Sequence, residues 1–325
     1  MSRVRSFQVL ISLLLNSAAY LHGQNAQIPQ QLVDSTFRPS VSEPAYTRGG
    51  PIVAIDEAHS NFHTASGQYK PFADLLRSDG YLVTAFRERF SLPALAGINV
   101  LVVSNALAAV SASDRSLPAF SESECDAVLE WVRGGGALLL IADHAPFGSA
   151  AENLSKRLGI TMGKGFAFER SDAGITTQLT FSRTNGLLGS HAILRGRNAT
   201  ENITTVTSFT GQSLGVPDGA TVLMHLSSTA REARNRKDVD VEEMARRNAA
   251  PTFGSTSTPV AGRAQGVAMV IGKGRVVVLG EAGMLSAQVI RFADGKEMKF
   301  GMNVPGNDNQ QFALNVLHWL SGLLN

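Results

Sequence analysis

The chain has 325 residues, 44% hydrophobic and 17% charged, enough to bury a sizeable core in one large domain or two small ones. Its formal charge of +2 comes from 29 basic and 27 acidic residues, and Arg3 and Arg5 lie in a segment expected to be removed. The remainder is about neutral, and nothing in it suggests a polyanion partner, since nucleic-acid binders concentrate Lys and Arg on one face; no nucleic acid is expected. One cysteine, Cys125, excludes an intrachain disulfide.

Residues 1–23 read as a signal peptide, with Arg3 and Arg5 as a positive start followed by a short apolar run. Ser12, Asn16 and Ser17 interrupt that run, leaving it short for a membrane span. No cysteine follows it to take a lipid anchor. The expectation is a secreted or periplasmic protein with no stable membrane insertion after cleavage; an uncleaved anchor is the alternative. Residues 24–49, with Pro29, Pro39 and Pro44, read as a linker to a domain over 50–325.

From residue 51, apolar runs alternate with amphipathic stretches, the pattern of a parallel sheet covered by helices. Strands are expected at 52–55, 81–86, 100–103 and 137–142, and a helix opening at Pro71 and stopped by Gly80. Ser121 with Glu124, and Ser149 with Glu152, have capping-box spacing, the latter helix ending near Gly159. Weaker strand candidates follow at 178–181, 204–209 and 221–226. The mixed charges of 227–247 and the Pro-, Ser- and Gly-rich 249–262 suggest a surface insertion over 227–262. A hairpin is expected from 266–271 and 275–279, and a closing helix through Phe312, Val316 and Leu320.

In open α/β sheets ligands sit outside the carboxyl ends of the strands. Polar clusters fall there four times: Asp56, Glu57, His59, Asn61 and His63; Asn105; Asp143 and His144; and Glu281. Asp143, His144 and Glu281 are the candidate catalytic groups, since carboxyls and imidazole can move protons near neutral pH. Asp56, Glu57, His59, Asn61, His63 and Asn105 are candidate binding residues. His59 and His63 are four apart and, with Asp143, are candidate ligands for a divalent metal, although the spacing fits a hydrogen-bonding role better.

Several other motifs lack their context. Cys125 recurs with Val128, Leu129 and Val132 on one helix face, the position of a core residue. Gly211-Gln212-Ser213-Leu214-Gly215 matches a hydrolase elbow, but Pro217, Asp218 and Gly219 stand where a helix should follow. Gly134-Gly135-Gly136 precedes a strand instead of following one. His191 is either a cleft residue or a plain loop histidine, while His225 and His318 read as structural.

The strings Asp56-Glu57-Ala58-His59, Ala142-Asp143-His144 through Pro146-Phe147-Gly148, Phe209-Thr210-Gly211-Gln212, Gly280-Glu281-Ala282 and Gly301-Met302-Asn303 resemble an uncharacterised exported branch of the class I glutamine amidotransferase-like superfamily. The resemblance spans residue 50 to the C-terminus. It implies a doubly wound, flavodoxin-like, mainly parallel sheet with helices on both faces. Working members place a cysteine on the turn after a central strand and a histidine near the late glutamate. Here that turn carries Asp143 and His144, and Glu281 has no neighbouring histidine. The implied function is a hydrolase-like or small-molecule-processing enzyme without a thiol nucleophile; the alternative is a non-catalytic small-molecule or carbohydrate-binding module.

Overall fold

Short polar strand β1 (Gln30–Val33) precedes the first apolar run, which forms β2 (Ile52–Asp56). Then come α1 (Lys70–Ser78), β3 (Leu82–Phe86), α2 (Leu92–Leu95), β4 (Val100–Ser104), α3 (Glu122–Arg133), β5 (Ala137–Ile141), α4 (Phe147–Ala150) and α5 (Glu152–Arg157). The middle of the chain gives β6 (Phe166–Ser171), β7 (Gly174–Thr176), β8 (Gln178–Ser182), α6 (Ala192–Arg195), β9 (Thr205–Phe209), β10 (Thr221–His225), β11 (Ala230–Ala233) and β12 (Ser257–Pro259). It ends with β13 (Ala264–Ile271), β14 (Gly274–Leu279), β15 (Ala287–Arg291), β16 (Glu297–Gly301) and α7 (Asn309–Leu320). This computed structural model describes residues 30–171, 174–239, 257–292 and 294–325, so the expected signal peptide lies outside the described residues.

The central sheet has seven strands in the order β10-β13-β14-β5-β4-β2-β3. β3, β2, β4, β5 and β14 run parallel, while β13 joins β14 and β10 antiparallel. Every residue of β4 and β5 is buried, as their unbroken apolar runs require of strands covered on both faces. Side chains alternate between two cores. On one face Val53, Ile55, Val100, Val102 and Leu139 pack with Phe72 and Leu75 of α1 and Phe312 and Val316 of α7. On the other, Ala54, Leu101, Val103, Leu138 and Leu140 pack with Cys125, Val128 and Val132 of α3 and Leu154 of α5.

Three smaller sheets surround this one: β1-β15-β16, β12-β11-β6-β7 and β8-β9. They revise two expectations. Residues 30–49 are not a free linker, because β1 pairs antiparallel with β15 and Phe37, Val41 and Tyr46 pack on the main core. Nor is all of 227–262 a solvated insertion. β11 sits inside the four-stranded sheet and its Glu232 is buried, accepting from the backbone N–H groups of Gly165 and Ser213 and from the Ser213 hydroxyl. The charged string misled because its acid is satisfied internally; residues 240–256 lie outside the described residues. Ser149 does not cap a helix either. It lies within α4, and Glu152 pairs with Lys156 and Lys164.

Candidate functional site

Tracing each parallel strand to its carboxyl end leads to two adjoining polar clusters. After β2, Asp56 Oδ1 and Oδ2 each lie 2.9 Å from His59 Nδ1, and His59 Nε2 lies 2.9 Å from Glu124 Oε1. Glu124 belongs to the capping box of α3, where Ser121 donates to it through both its N–H and its hydroxyl. Burial alone would lower the His59 pKa, but bonding to Asp56 and Glu124 raises it instead. Burial likewise works to raise Glu124, yet the Ser121 N–H and His59 hold it at about 2. With an acid at each ring nitrogen, His59 is placed as a buried imidazolium clamp between Phe90 and Phe120.

Asn61 joins this clamp to the second cluster by donating to Asp56 Oδ2 and to the Ser104 carbonyl. Glu57 turns outward, accepting from the Ala65 N–H and pairing with Arg87. Asp56, Glu57 and His59 therefore do not face the cavity described next. Nor does His59 keep a ring nitrogen for a metal. Among the described residues, no group of three or more His, Cys, Asp or Glu is arranged around a metal-sized position.

The second cluster surrounds a cavity of about 40 Å³ beyond the ends of β4, β5 and β14. His63, Asn105, Asp143 and His144 line it with Phe62, Phe147, Phe209 and Phe300, and Gln31, Gln288 and Gly283 complete the wall. Asn105 has a left-handed backbone, φ 48°, which asparagine tolerates better than most residues, and its Oδ1 accepts from the Asp143 N–H. Thr210, which follows Phe209, has φ 68°, a strained value for a β-branched residue. The buried Gln265 Nε2 holds its carbonyl at 2.7 Å. Gln212 Nε2 donates to the carbonyls of Ala142 and Asp143, so the Phe209–Gln212 segment braces the turn after β5.

Burial raises the Asp143 pKa, with the charge of His144 opposing it. Glu281, behind the cavity wall, is raised well above the usual carboxylate range by burial first and by the charge of Asp143 second. Its two oxygens accept from the N–H groups of Gly283 and Met284. Two buried carboxyls with raised pKa values thus adjoin the cavity, and the charge of Asp143 adds to the proton affinity of Glu281. His63 Nδ1 meets the Ser104 hydroxyl at 3.2 Å, and full burial drops its pKa to about 3, so this ring is neutral. His144 does not pair with a carboxylate through its ring. Its Nδ1 lies 2.8 Å from the Ala145 carbonyl oxygen, and the ring stacks on Phe166.

The fold is shared with the mmIFT52 N-terminal domain. The two are 14% identical over 83% of this chain and 97% of that chain, with a TM-score of 0.53. A ThuA-like protein from Bacteroides uniformis aligns with 87% of this chain and 94% of its own at 13% identity and a TM-score of 0.43. No family model and no curated protein matches the chain.

Of the residues expected from sequence, the structure brings His63, Asn105, Asp143 and His144 to one cavity, with Glu281 behind it. The aromatic wall and the two glutamines were not foreseen. Phe209 and Phe300 stand in strands of different sheets, and only the Phe209-Thr210-Gly211-Gln212 string hinted at the former. Ser213 is fully buried, bonded to Glu232 and Arg263, and His191 caps α6 against Trp319, so neither reaches the cavity. His225 is exposed at the end of β10, whereas His318 pairs with Asp79 in the core at 2.7 Å.

Proposed function

We propose that this chain is an exported protein with an amidotransferase-like, doubly wound fold and a hydrolase-like acid–base site made of Asp143, Glu281 and His144. The observation that carries the reading is the pair of buried carboxyls at the ends of adjacent strands β5 and β14, set against a cavity. The strand order β3-β2-β4-β5-β14 reverses between β2 and β4, and ligands in open sheets gather beside such a reversal. A carboxyl pair holding one proton supplies a base and an acid at once, enough to activate water and protonate a leaving group without a covalent intermediate. The thiol route has no support, because Cys125 is fully buried on α3 and burial pushes its pKa up to about 12.

The test is a screen of generic esters, amides and glycosides against the native protein and an Asp143→Asn variant. Turnover lost in a folded variant is expected; turnover that survives the substitution overturns the acid–base assignment. One observation favours a second reading, a small-molecule-binding module. Both oxygens of Glu281 are tied to backbone N–H groups, which suits a fixed wall better than a mobile proton carrier. Ligand binding without turnover on any substrate class would select it.

A further inference from the structure

The cavity contains information about the sign of its ligand. Resting on the reading that this cavity is the working site, we propose that it takes a small organic ammonium ion, making its ligand or substrate a short primary amine. No lysine or arginine is among the lining residues. The ionisable groups there are Asp143, His63 and His144, with Glu281 directly behind, and His63 is kept neutral by burial. A carboxylate or phosphate entering would shed its water beside Asp143 with no lysine or arginine in the wall to receive it, a poorly compensated desolvation.

An independent feature points the same way. Four phenylalanines form the apolar part of the wall, with Phe62 6.2 Å from Phe147 and Phe209 4.0 Å from Phe300 between ring centroids. Phenyl faces are electron-rich and attract a desolvated cation, and phenyl rings in the same wall as Asp143 suit an ammonium head with a short apolar tail. Size narrows the class. The cavity is about 40 Å³ and one water needs roughly 10–15 Å³, which leaves room for an ammonium with one to three carbons. The ammonium N–H groups would donate to Asp143, the carboxyl that lines the cavity.

Calorimetric titration of the full chain with methylammonium, ethylammonium and propylammonium, with acetate and ethanol as controls, tests this. At least one amine should bind ten or more times tighter than either control. Asp143→Asn and, separately, Phe300→Leu should each weaken that binding about tenfold in protein that melts cooperatively; if Asp143→Asn does not fold, Phe300→Leu decides. Acetate binding as tightly as the amines, amine binding indifferent to these substitutions, or no binding by any probe overturns the amine class. Those outcomes leave the acid–base reading standing. That reading falls only if turnover persists in the Asp143→Asn protein.

Discussion

His59 Nε2 sits 2.9 Å from Glu124 Oε1, 65 residues away in sequence, while its Nδ1 sits 2.9 Å from Asp56. One ring therefore ties the loop after β2 to the first turn of α3. Removing it would leave two carboxylates buried without their cation. His59→Ala should lower stability by about 3–5 kcal/mol, the usual cost of breaking a buried pair from one side, as read from urea unfolding.

The same clamp sets a pH window. The raised folded pKa of His59 means that its contribution is complete below the unfolded value of 6.5 and is lost as pH rises through the folded value. The depressed pKa of Glu124 means that its contribution is present above 4.5 and is lost as pH falls toward about 2. Stability from the clamp should peak between roughly pH 4.5 and 6.5. Melting temperatures across pH 3–9 should lose this component in His59→Ala.

Asp143 and Glu281 act in one direction only. Both folded pKa values are raised, so their contribution is full below the unfolded carboxylate range and declines as pH climbs through the folded values. Asp143→Asn should remove part of the alkaline loss of stability and cost less than about 1 kcal/mol at neutral pH. A melting curve for the variant that falls as steeply toward alkaline pH as the native one would contradict this.

Gly148 is a test of the bracing at the turn after β5. A Cβ there would stand 2.3 Å from Gln212 Oε1 and 2.5 Å from its Nε2, and Gln212 is fully buried. Gly148→Ala must push that amide off the carbonyls of Ala142 and Asp143, so it should cost about 1–3 kcal/mol in denaturant unfolding and weaken ligand binding at the cavity.

Cys125 offers a control. Cys125→Ser should leave any activity intact and cost about 1 kcal/mol, since a hydroxyl replaces a buried thiol. The native thiol should react with a chromogenic disulfide only after unfolding. Complete loss of activity in the folded variant would revive a thiol mechanism.

What the sequence revealed follows from how each element is buried. β4 and β5 are covered on both faces and appear as pure apolar runs, so their positions were legible to within a residue. β1 has a polar sequence, Gln-Gln-Leu-Val, alternating exposed and half-buried, and β11 carries charges whose partners lie far along the chain, so neither announced itself. Asp143 and Asn105 were legible because they directly follow buried strands. The inward clamp of His59 was not, because its second partner, Glu124, is identifiable from sequence only as a helix cap.

The cavity wall is closed by a meeting of the chain's extremes: Gln31 of β1 donates to Gln288 of β15 across 257 residues. A chain made from its N-terminus holds Asp143 long before it holds the strand that finishes the pocket around it. Until the residues past 288 have emerged and β1 has found its edge, the acidic pocket stays open to water. A chain cut short between Asp143 and β15 would carry the acidic residue of the wall without Gln288, Phe300 and the pairing of β1 with β15 that enclose it.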